Sequence, residues 1–202
     1  MGIDSSSTGI AWTMVESGGT MFAQGKIRLD KLKTPQAKLE HIFHELGALL
    51  AEHKPDHVFV EKSIFVKNPA TARILSYVVG SVICVGEGNG YEVTDVEPAT
   101  WKAWMGYTNL RKDFVEQVSE VLGKTEGKKF CEKLRKSQTW NVIRHNYPHI
   151  TEDSLAATDH DIADSWGIAL YGYDKLVSAL VLEKSKAISL DQQQLADLGL
   201  SL

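Results

Sequence analysis

Gly2-Ile3-Asp4-Ser5-Ser6-Ser7-Thr8-Gly9 is the stretch that decides the fold, because it predicts a short strand that ends at a carboxylate. After it, residues 8–15 alternate between two faces, Gly18-Gly19 provides a turn, and residues 20–29 return. Alternation with a period of two around a glycine turn is typical of a β-hairpin. The first 30 residues therefore predict three strands, and the first carries Asp4 at its carboxyl end.

Helices and strands alternate after this hairpin. The β-hairpin followed by a β-α-β-α-β order predicts an α/β fold with a mixed sheet. The predicted elements are a helix from Thr34 to Lys54, a buried strand over 58–60 that ends at Glu61, a helix over 68–86, a strand over 91–96, a helix over 111–122 and a last core helix over 158–180.

The charge of the chain is unevenly distributed. The 202 residues carry a net charge of −4, with 43% hydrophobic residues, which excludes a disordered tail, a collagen repeat and a disulfide scaffold. Residues 101–145 nevertheless hold 10 basic against 5 acidic side chains. We expect one domain over residues 1–180, with a basic, partly helical insertion at about 124–149 and a C-terminal tail over 181–202.

Nothing in the sequence predicts export or a membrane anchor. The two cysteines, Cys84 and Cys131, lack the spacing of a metal site and fit a reducing compartment. The N-terminus lacks the pattern of a signal peptide, and we expect no apolar stretch of about 18 residues. A cytoplasmic protein without a membrane partner is therefore predicted.

Four carboxylates occupy positions that suit a metal site. Asp4 and Glu61 each follow a strand, and these strands are neighbours if a β-α-β crossover joins them. Asp161 and Asp164 are three residues apart and share one face of the last helix. Converging carboxylates repel unless cations neutralise them, and Mg²⁺ prefers oxygen ligands. Two such ions about 4 Å apart are a common arrangement for phosphodiester cleavage.

Simpler explanations stay open for the same residues. Asp4-Ser5 also suits a turn, and Thr158 with Asp161 would form a capping box at the start of a helix. His160 could be a metal ligand, a general base or a surface residue next to the cap.

Three motifs resemble those of RuvC-type Holliday junction resolvases, which belong to the RNase H-like nuclease superfamily. They are the opening Gly2–Gly9 segment, Val58-Phe-Val-Glu61, and His160-Asp161-Ile-Ala-Asp164-Ser. The resemblance implies an RNase H-like fold with a five-stranded mixed sheet flanked by helices. It further implies a homodimeric, Mg²⁺-dependent endonuclease, with Mn²⁺ as a substitute, that nicks branched DNA and above all four-way junctions symmetrically.

The resemblance also implies roles for individual residues. Asp4, Glu61 and Asp164 are expected to ligate metal, and Asp161 is the expected fourth ligand, with His160 as an uncertain neighbour. Glu97-Pro98-Ala99-Thr100-Trp101-Lys102 is similar to the segment in which the family carries a DNA-contacting lysine, so Lys102 is expected at the catalytic site. The basic insertion is an addition to the family pattern and suggests, by analogy, a bacteriophage-encoded member.

The DNA interface is predicted from the basic block and from aromatic side chains. The candidates for stacking on unpaired bases are Phe65, Trp101, Trp104 and Tyr107. For Trp101 and Trp104, packing against the sheet is the alternative. The charge run either tracks phosphates or forms a solvated helix face. The candidate DNA contacts are Phe65, Lys67, Lys102, Arg111, Lys112, Lys128, Lys129, Lys133, Arg135 and Lys136.

Two other functions compete with a resolvase. An actin-like ATPase also begins with a Gly-Ile-Asp strand end, but it needs a second phosphate loop that the sequence lacks. A catalytically inactive module that binds branched DNA would need no carboxylate set. Within the nucleases, preference for flaps, forks or RNA–DNA hybrids stays open.

Overall fold

The architecture of the chain is taken from a computed structural model. The described residues are 1–63, 68–147, 156 and 158–197, with side chains described as far as residue 183 in the last helix. The candidate DNA contacts Phe65 and Lys67 lie outside the described residues.

A five-stranded mixed sheet forms the centre of the fold, with strand order β3-β2-β1-β4-β5. Strands β1 and β4 are parallel neighbours, in a register that pairs Ile3 with Val60, as the sequence predicts. Parallel neighbours end at the same edge, so Asp4 and Glu61 follow paired residues at that edge. The strands are β1 (Gly2–Ser5), β2 (Gly9–Val15), β3 (Met21–Arg28), β4 (Val58–Glu61) and β5 (Val93–Val96).

Helices cover both faces of the sheet and separate the core into two clusters. Ile42, Leu46 and Leu50 of the first helix pack with the second helix on one face. Trp101, Ile143 and Trp166 lead the cluster on the other face, under the last helix. The helices are α1 (Pro35–His53), α2 (Pro69–Gly88), α3 (Pro98–Trp104), α4 (Lys112–Leu122), α5 (Lys124–Lys136), α6 (Gln138–Asn146) and α7 (His160–Asp197).

Close backbone packing docks α7 against β1. A Cβ placed on Gly2 would overlap backbone atoms of Ser165 and Ala169, so only glycine allows β1 to approach the helix this closely. Gly172 is similarly covered by the ring of Phe59. These contacts hold the first turns of α7 beside the end of β1.

Several details differ from the sequence predictions. Helix α4 begins at Lys112 and buries none of its residues, and its apolar Val121 is 82% exposed. The basic insertion consists of the two helices α5 and α6. Helix α7 continues past Leu180 to Asp197, so most of the predicted tail prolongs the last core helix.

Helix α2 is long and apolar enough to cross a membrane by length and composition alone. No apolar stretch of this length was expected from the sequence. One helix of this kind is weak evidence, because core helices of other proteins pass the same test. Val78, Val82 and Val85 of α2 are buried against the sheet and α1. The opposite side of α2 is exposed and carries Tyr77.

Candidate active site

The carboxylate of Asp4 is the electrostatic centre of the site. Burial raises its pKa well above the ordinary range of an aspartate, and the neighbouring charges of Glu61, Asp164 and Asp161 raise it further. The Lys102 ammonium opposes this effect. The structure therefore brings all four sequence-predicted carboxylates within electrostatic reach of one another.

Glu61 is held by the helix that follows β5. The buried indole of Trp101 donates a hydrogen bond from Nε1 to Glu61 Oε2 over 2.7 Å. Lys102 Nζ lies 3.7 Å from the same oxygen and 4.9 Å from the centre of the Trp101 ring. Burial raises the pKa of Glu61, although Lys102 and Trp101 both lower it. Trp101 therefore positions a carboxylate and packs in the core, which is the packing alternative that the sequence left open for it.

The Asp164 carboxylate lies within hydrogen-bond distance of two hydroxyl groups from outside its own helix. Thr139, fully buried on α6, donates from Oγ1 to Asp164 Oδ1, and the Tyr107 hydroxyl lies 3.3 Å from the same oxygen. Thr139 and Tyr107 are also hydrogen-bonded to each other. Burial raises the pKa of Asp164 despite these bonds. Burial also raises the pKa of Tyr107, which stays neutral and able to donate.

Asp161 faces a lysine at the start of α7. Lys26 Nζ, on β3, lies 2.6 Å from Asp161 Oδ2 and 2.9 Å from Asp159 Oδ2. Asp159 also accepts the backbone N–H of Asp161 at 3.0 Å and that of Ile162 at 3.4 Å. Asp159 therefore occupies the N-cap position through these two bonds, a position that the capping-box alternative gave to Thr158. Asp161 is left without a cap function and pairs with Lys26.

The carboxylate set suits a hard divalent cation. All four side chains offer only oxygen ligands, and a bound cation would relieve the repulsion that raises the pKa of Asp4. Within the part of the chain that the structure describes, no three acidic, histidine or cysteine side chains already form a complete ligand group. Two ion pairs account for this, because Glu61 is turned to Lys102 and Asp161 to Lys26. The residues fit the ion if these pairs yield to it.

Comparison with known proteins identifies the family. The family model described as "Crossover junction endodeoxyribonuclease RuvC" matches residues 1–129 of the 202-residue chain. The chain belongs to the RuvC family. The match includes Asp4, Glu61 and Lys102 and ends before Thr139, Asp161 and Asp164.

Individual RuvC relatives support the assignment. The RuvC of Heliobacterium modesticaldum is 29% identical over 126 residues, which span 60% of this chain and 78% of the relative. That of Lawsonia intracellularis is 29% identical over 160 residues, or 77% of this chain and 84% of the relative. A solved structure of T. thermophilus RuvC with a Holliday junction substrate has a TM-score of 0.61 at 16% identity, covering 84% of this chain and 89% of that one. This likeness confirms the RNase H-like fold predicted from the resemblance.

The other predicted site residues of this RuvC-family chain differ in whether they contact the carboxylates. Lys102 lies at the site, beside Glu61. His160 begins α7, and none of the hydrogen bonds found among the described residues joins it to the carboxylates. Trp104 is 40% exposed and packs edge-on against Tyr171.

Four of the predicted DNA contacts form exposed ion pairs with acidic side chains two to four residues away in the sequence. The four paired cations are Arg111 with Asp113, Lys112 with Glu116, Lys129 with Glu126, and Lys136 with Glu132. Lys128, Lys133 and Arg135 are exposed, and no ion pair to another described residue is found for them. Among the predicted DNA contacts, these three on α5 remain available to phosphates.

Two adjoining clefts connect Lys128 and Arg135 with Asp164. A cleft of about 440 Å³ beside Asp164 is lined by Lys102, Tyr107 and Arg135, among others. A second cleft of about 610 Å³ shares Arg135 with the first and extends to Lys128. The two clefts also share Asn109 and Glu132, so the surface between them is not purely basic. A groove formed by the two adjoining clefts thus leads from Asp164 along α5.

Sequence reasoning missed three contacts at this site. They are the hydrogen bonds of Thr139 and Tyr107 to Asp164 and the ion pair of Lys26 with Asp161. Each joins residues that are 25 to 135 positions apart in the sequence. No local pattern marks such partners. The cap formed by Asp159 was visible, because an aspartate directly before an apolar helical run is a common N-cap.

Proposed function

We propose that this protein is a Mg²⁺-dependent endonuclease that resolves four-way DNA junctions by paired, symmetric nicks. The observation that carries the proposal is the convergence of Asp4, Glu61, Asp161 and Asp164 at one sheet edge in a member of the RuvC family. The solved relative from T. thermophilus was obtained with a Holliday junction substrate, which supports the choice of DNA. Action on cellular DNA implies a cytoplasmic location.

The chemistry follows from the four carboxylates and one lysine. Two Mg²⁺ ions held by the carboxylates would supply an activated water and stabilise the leaving 3′ oxygen, and Mn²⁺ is expected to substitute. The expected products are a 5′-phosphate and a 3′-hydroxyl. Trp101 holds Glu61 in place through its indole N–H, and Thr139 does the same for Asp164. Lys102 is placed to offset negative charge that develops on the scissile phosphate.

The groove along α5 is the proposed path of the DNA strand. Lys128 and Arg135 are seven residues apart, which puts them on one face of the helix two turns apart. Both line the clefts that open toward Asp164. Contacts of this kind to phosphates position DNA without reading its sequence, and they make binding depend on salt.

A homodimer is proposed because paired nicks need two catalytic sites related by symmetry. Helix α2 offers a surface for it, with exposed Tyr77 and Cys84 on a side that also carries small residues. Small residues allow close helix packing between two copies. We expect the purified protein to behave as a dimer in sedimentation analysis.

Purified protein should be tested on matched four-way, three-way, flap, fork and RNA–DNA hybrid substrates, with and without Mg²⁺. We expect Mg²⁺-dependent nicks at symmetric positions of the four-way junction, and loss of these nicks in Asp4→Asn. Glu40→Gln removes the same charge from an exposed site on α1 and serves as the control. Full nicking by Asp4→Asn would refute the site assignment. Tight binding without nicking by the wild type would instead favour a junction-binding module.

The DNA path has a test of its own. The double variant Lys128→Ala/Arg135→Ala should weaken junction binding and reduce the salt dependence of the affinity by about two counterions. The double variant Lys112→Ala/Lys129→Ala removes the same charge, but both lysines are already paired with glutamates. Equal losses in the two variants would mean that net charge matters and that the groove does not.

A further inference from the structure

We propose that Lys26 is a positioning residue that holds Asp161 when the site lacks a divalent cation and releases it when a cation binds. The inference rests on the proposed metal-dependent function and adds to it a specific competitor for one ligand. It concerns β3, a strand in which the sequence motifs place no functional residue. Three features support it: the contacts of Lys26, the position of Asp159 in the cap of α7, and the charges around Asp161.

Lys26 reaches the start of α7 across the neighbouring strand. Lys26 pairs with Ala11 in the sheet, and its alkyl chain passes over Gly9 at the beginning of β2. Its ammonium lies 2.6 Å from Asp161 Oδ2 and contacts both oxygens of Asp159, at 3.1 and 2.9 Å. The Lys26 side chain is 29% exposed, so the alkyl chain is largely packed and the ammonium has little freedom.

Asp159 gives Lys26 a partner that does not depend on Asp161. The Asp159 carboxylate caps α7 by accepting two backbone N–H groups, and a cap of this kind contributes about 1 kcal/mol to helix stability. Asp159 is therefore held in place by its own helix. Lys26 can lose Asp161 and still keep a carboxylate partner, so release of Asp161 leaves no unpaired ammonium.

Asp161 is suited to move between two partners. Its side chain is 49% exposed and forms no part of the cap, yet its charge is close enough to raise the pKa of Asp4. It also lies three residues before Asp164, on the same face of α7. A metal ion shared with Asp4 and Asp164 would compete directly with the Lys26 ammonium for the Asp161 oxygens. The apoprotein thus uses an internal cation where the working enzyme would use Mg²⁺.

The test measures Mn²⁺ binding without DNA, by calorimetry and by electron paramagnetic resonance. Lys26→Met should tighten the Mn²⁺ dissociation constant by about two- to fivefold, which corresponds to the release of one part-exposed ion pair. Lys26→Arg keeps the pair and should retain the wild-type constant. Arg28→Met is the matched control, because Arg28 lies two residues away on β3 and pairs with Asp30 instead.

A double-mutant cycle separates release of Asp161 from general electrostatics. In an Asp161→Asn background, Lys26→Met should no longer tighten Mn²⁺ binding, because the ligand that Lys26 restrains is gone. Equal tightening in both backgrounds, or no difference between Lys26→Met and Arg28→Met, would overturn the proposal. If Lys26→Met does not fold, the Lys26→Gln variant provides the same measurement. Wild-type protein that binds no Mn²⁺ in an Asp4-dependent way would contradict the proposed function as well.

Discussion

Replacement of Asp4 by asparagine should stabilise the metal-free protein while it abolishes nicking. Asp4 is partly buried among three other carboxylates, and its pKa is raised first by burial and then by Glu61, Asp164 and Asp161. One like charge about 6 Å away costs about 3 kcal/mol at an effective dielectric constant of about 20. The Lys102 ammonium offsets part of this repulsion. We therefore expect a net gain of about 1–2 kcal/mol, typical of relieving strain at a functional site.

The gain should depend on pH in a defined direction. Because the folded-state pKa of Asp4 is raised, the folded protein binds a proton more tightly than the unfolded chain. The ionised Asp4 carboxylate therefore lowers the free energy of unfolding. This loss of stability is absent below the unfolded-state pKa of about 3.9 and grows as the pH rises toward the folded-state pKa. Asp4→Asn and wild type should therefore be equally stable near pH 4, and the variant should be more stable at pH 8.

Thermal unfolding by circular dichroism measures this difference. For a chain of this size, 1–2 kcal/mol corresponds to a rise of about 2–8 °C in Tm at pH 8 in EDTA. In saturating Mg²⁺, the wild type should gain more stability than the variant, and the difference should shrink or reverse. Glu40→Gln, on an exposed part of α1, should show neither effect. A lower Tm for Asp4→Asn at pH 8 in EDTA would refute the electrostatic reasoning.

Three further substitutions test the surroundings of the site. Thr139→Val keeps the shape of a buried side chain but removes its hydrogen bond to the Asp164 carboxylate, which is worth about 1.5–3 kcal/mol. The rate of single-turnover nicking should therefore fall by about 10- to 100-fold, while junction affinity is retained. Unchanged nicking by this variant would mean that Tyr107 alone orients Asp164. Lys102→Met should lower the nicking rate more than junction affinity, and a pure loss of affinity in gel-shift assays would assign Lys102 to binding only. Gly2→Ala should destabilise the fold by at least about 1–3 kcal/mol in urea titrations, because its Cβ would overlap the backbone of α7, and wild-type stability would show that β1 and α7 are packed less closely.

Much of the fold was predictable because its signals are local. The glycine turn at Gly18-Gly19, the Thr34 cap and the apolar strand before Glu61 each lie within a few residues of the element they define. The apolar positions of α4 predict a helix but do not say what covers it. That helix packs mainly on α5 and leaves its apolar side open, a matter of tertiary arrangement that periodicity cannot report.

The sequence by itself determined the family and the elements that present its carboxylates. Asp4 and Glu61 follow strands whose parallel pairing could be expected from chain order, and Asp164 shares a helix face with Asp161. Only the tertiary structure decided which groups restrain these carboxylates. Lys26 meets Asp161 across 135 positions of chain, and Thr139 meets Asp164 across two helices. Such contacts arise from how layers of secondary structure pack, because side chains far apart in sequence become neighbours only when their elements share a surface.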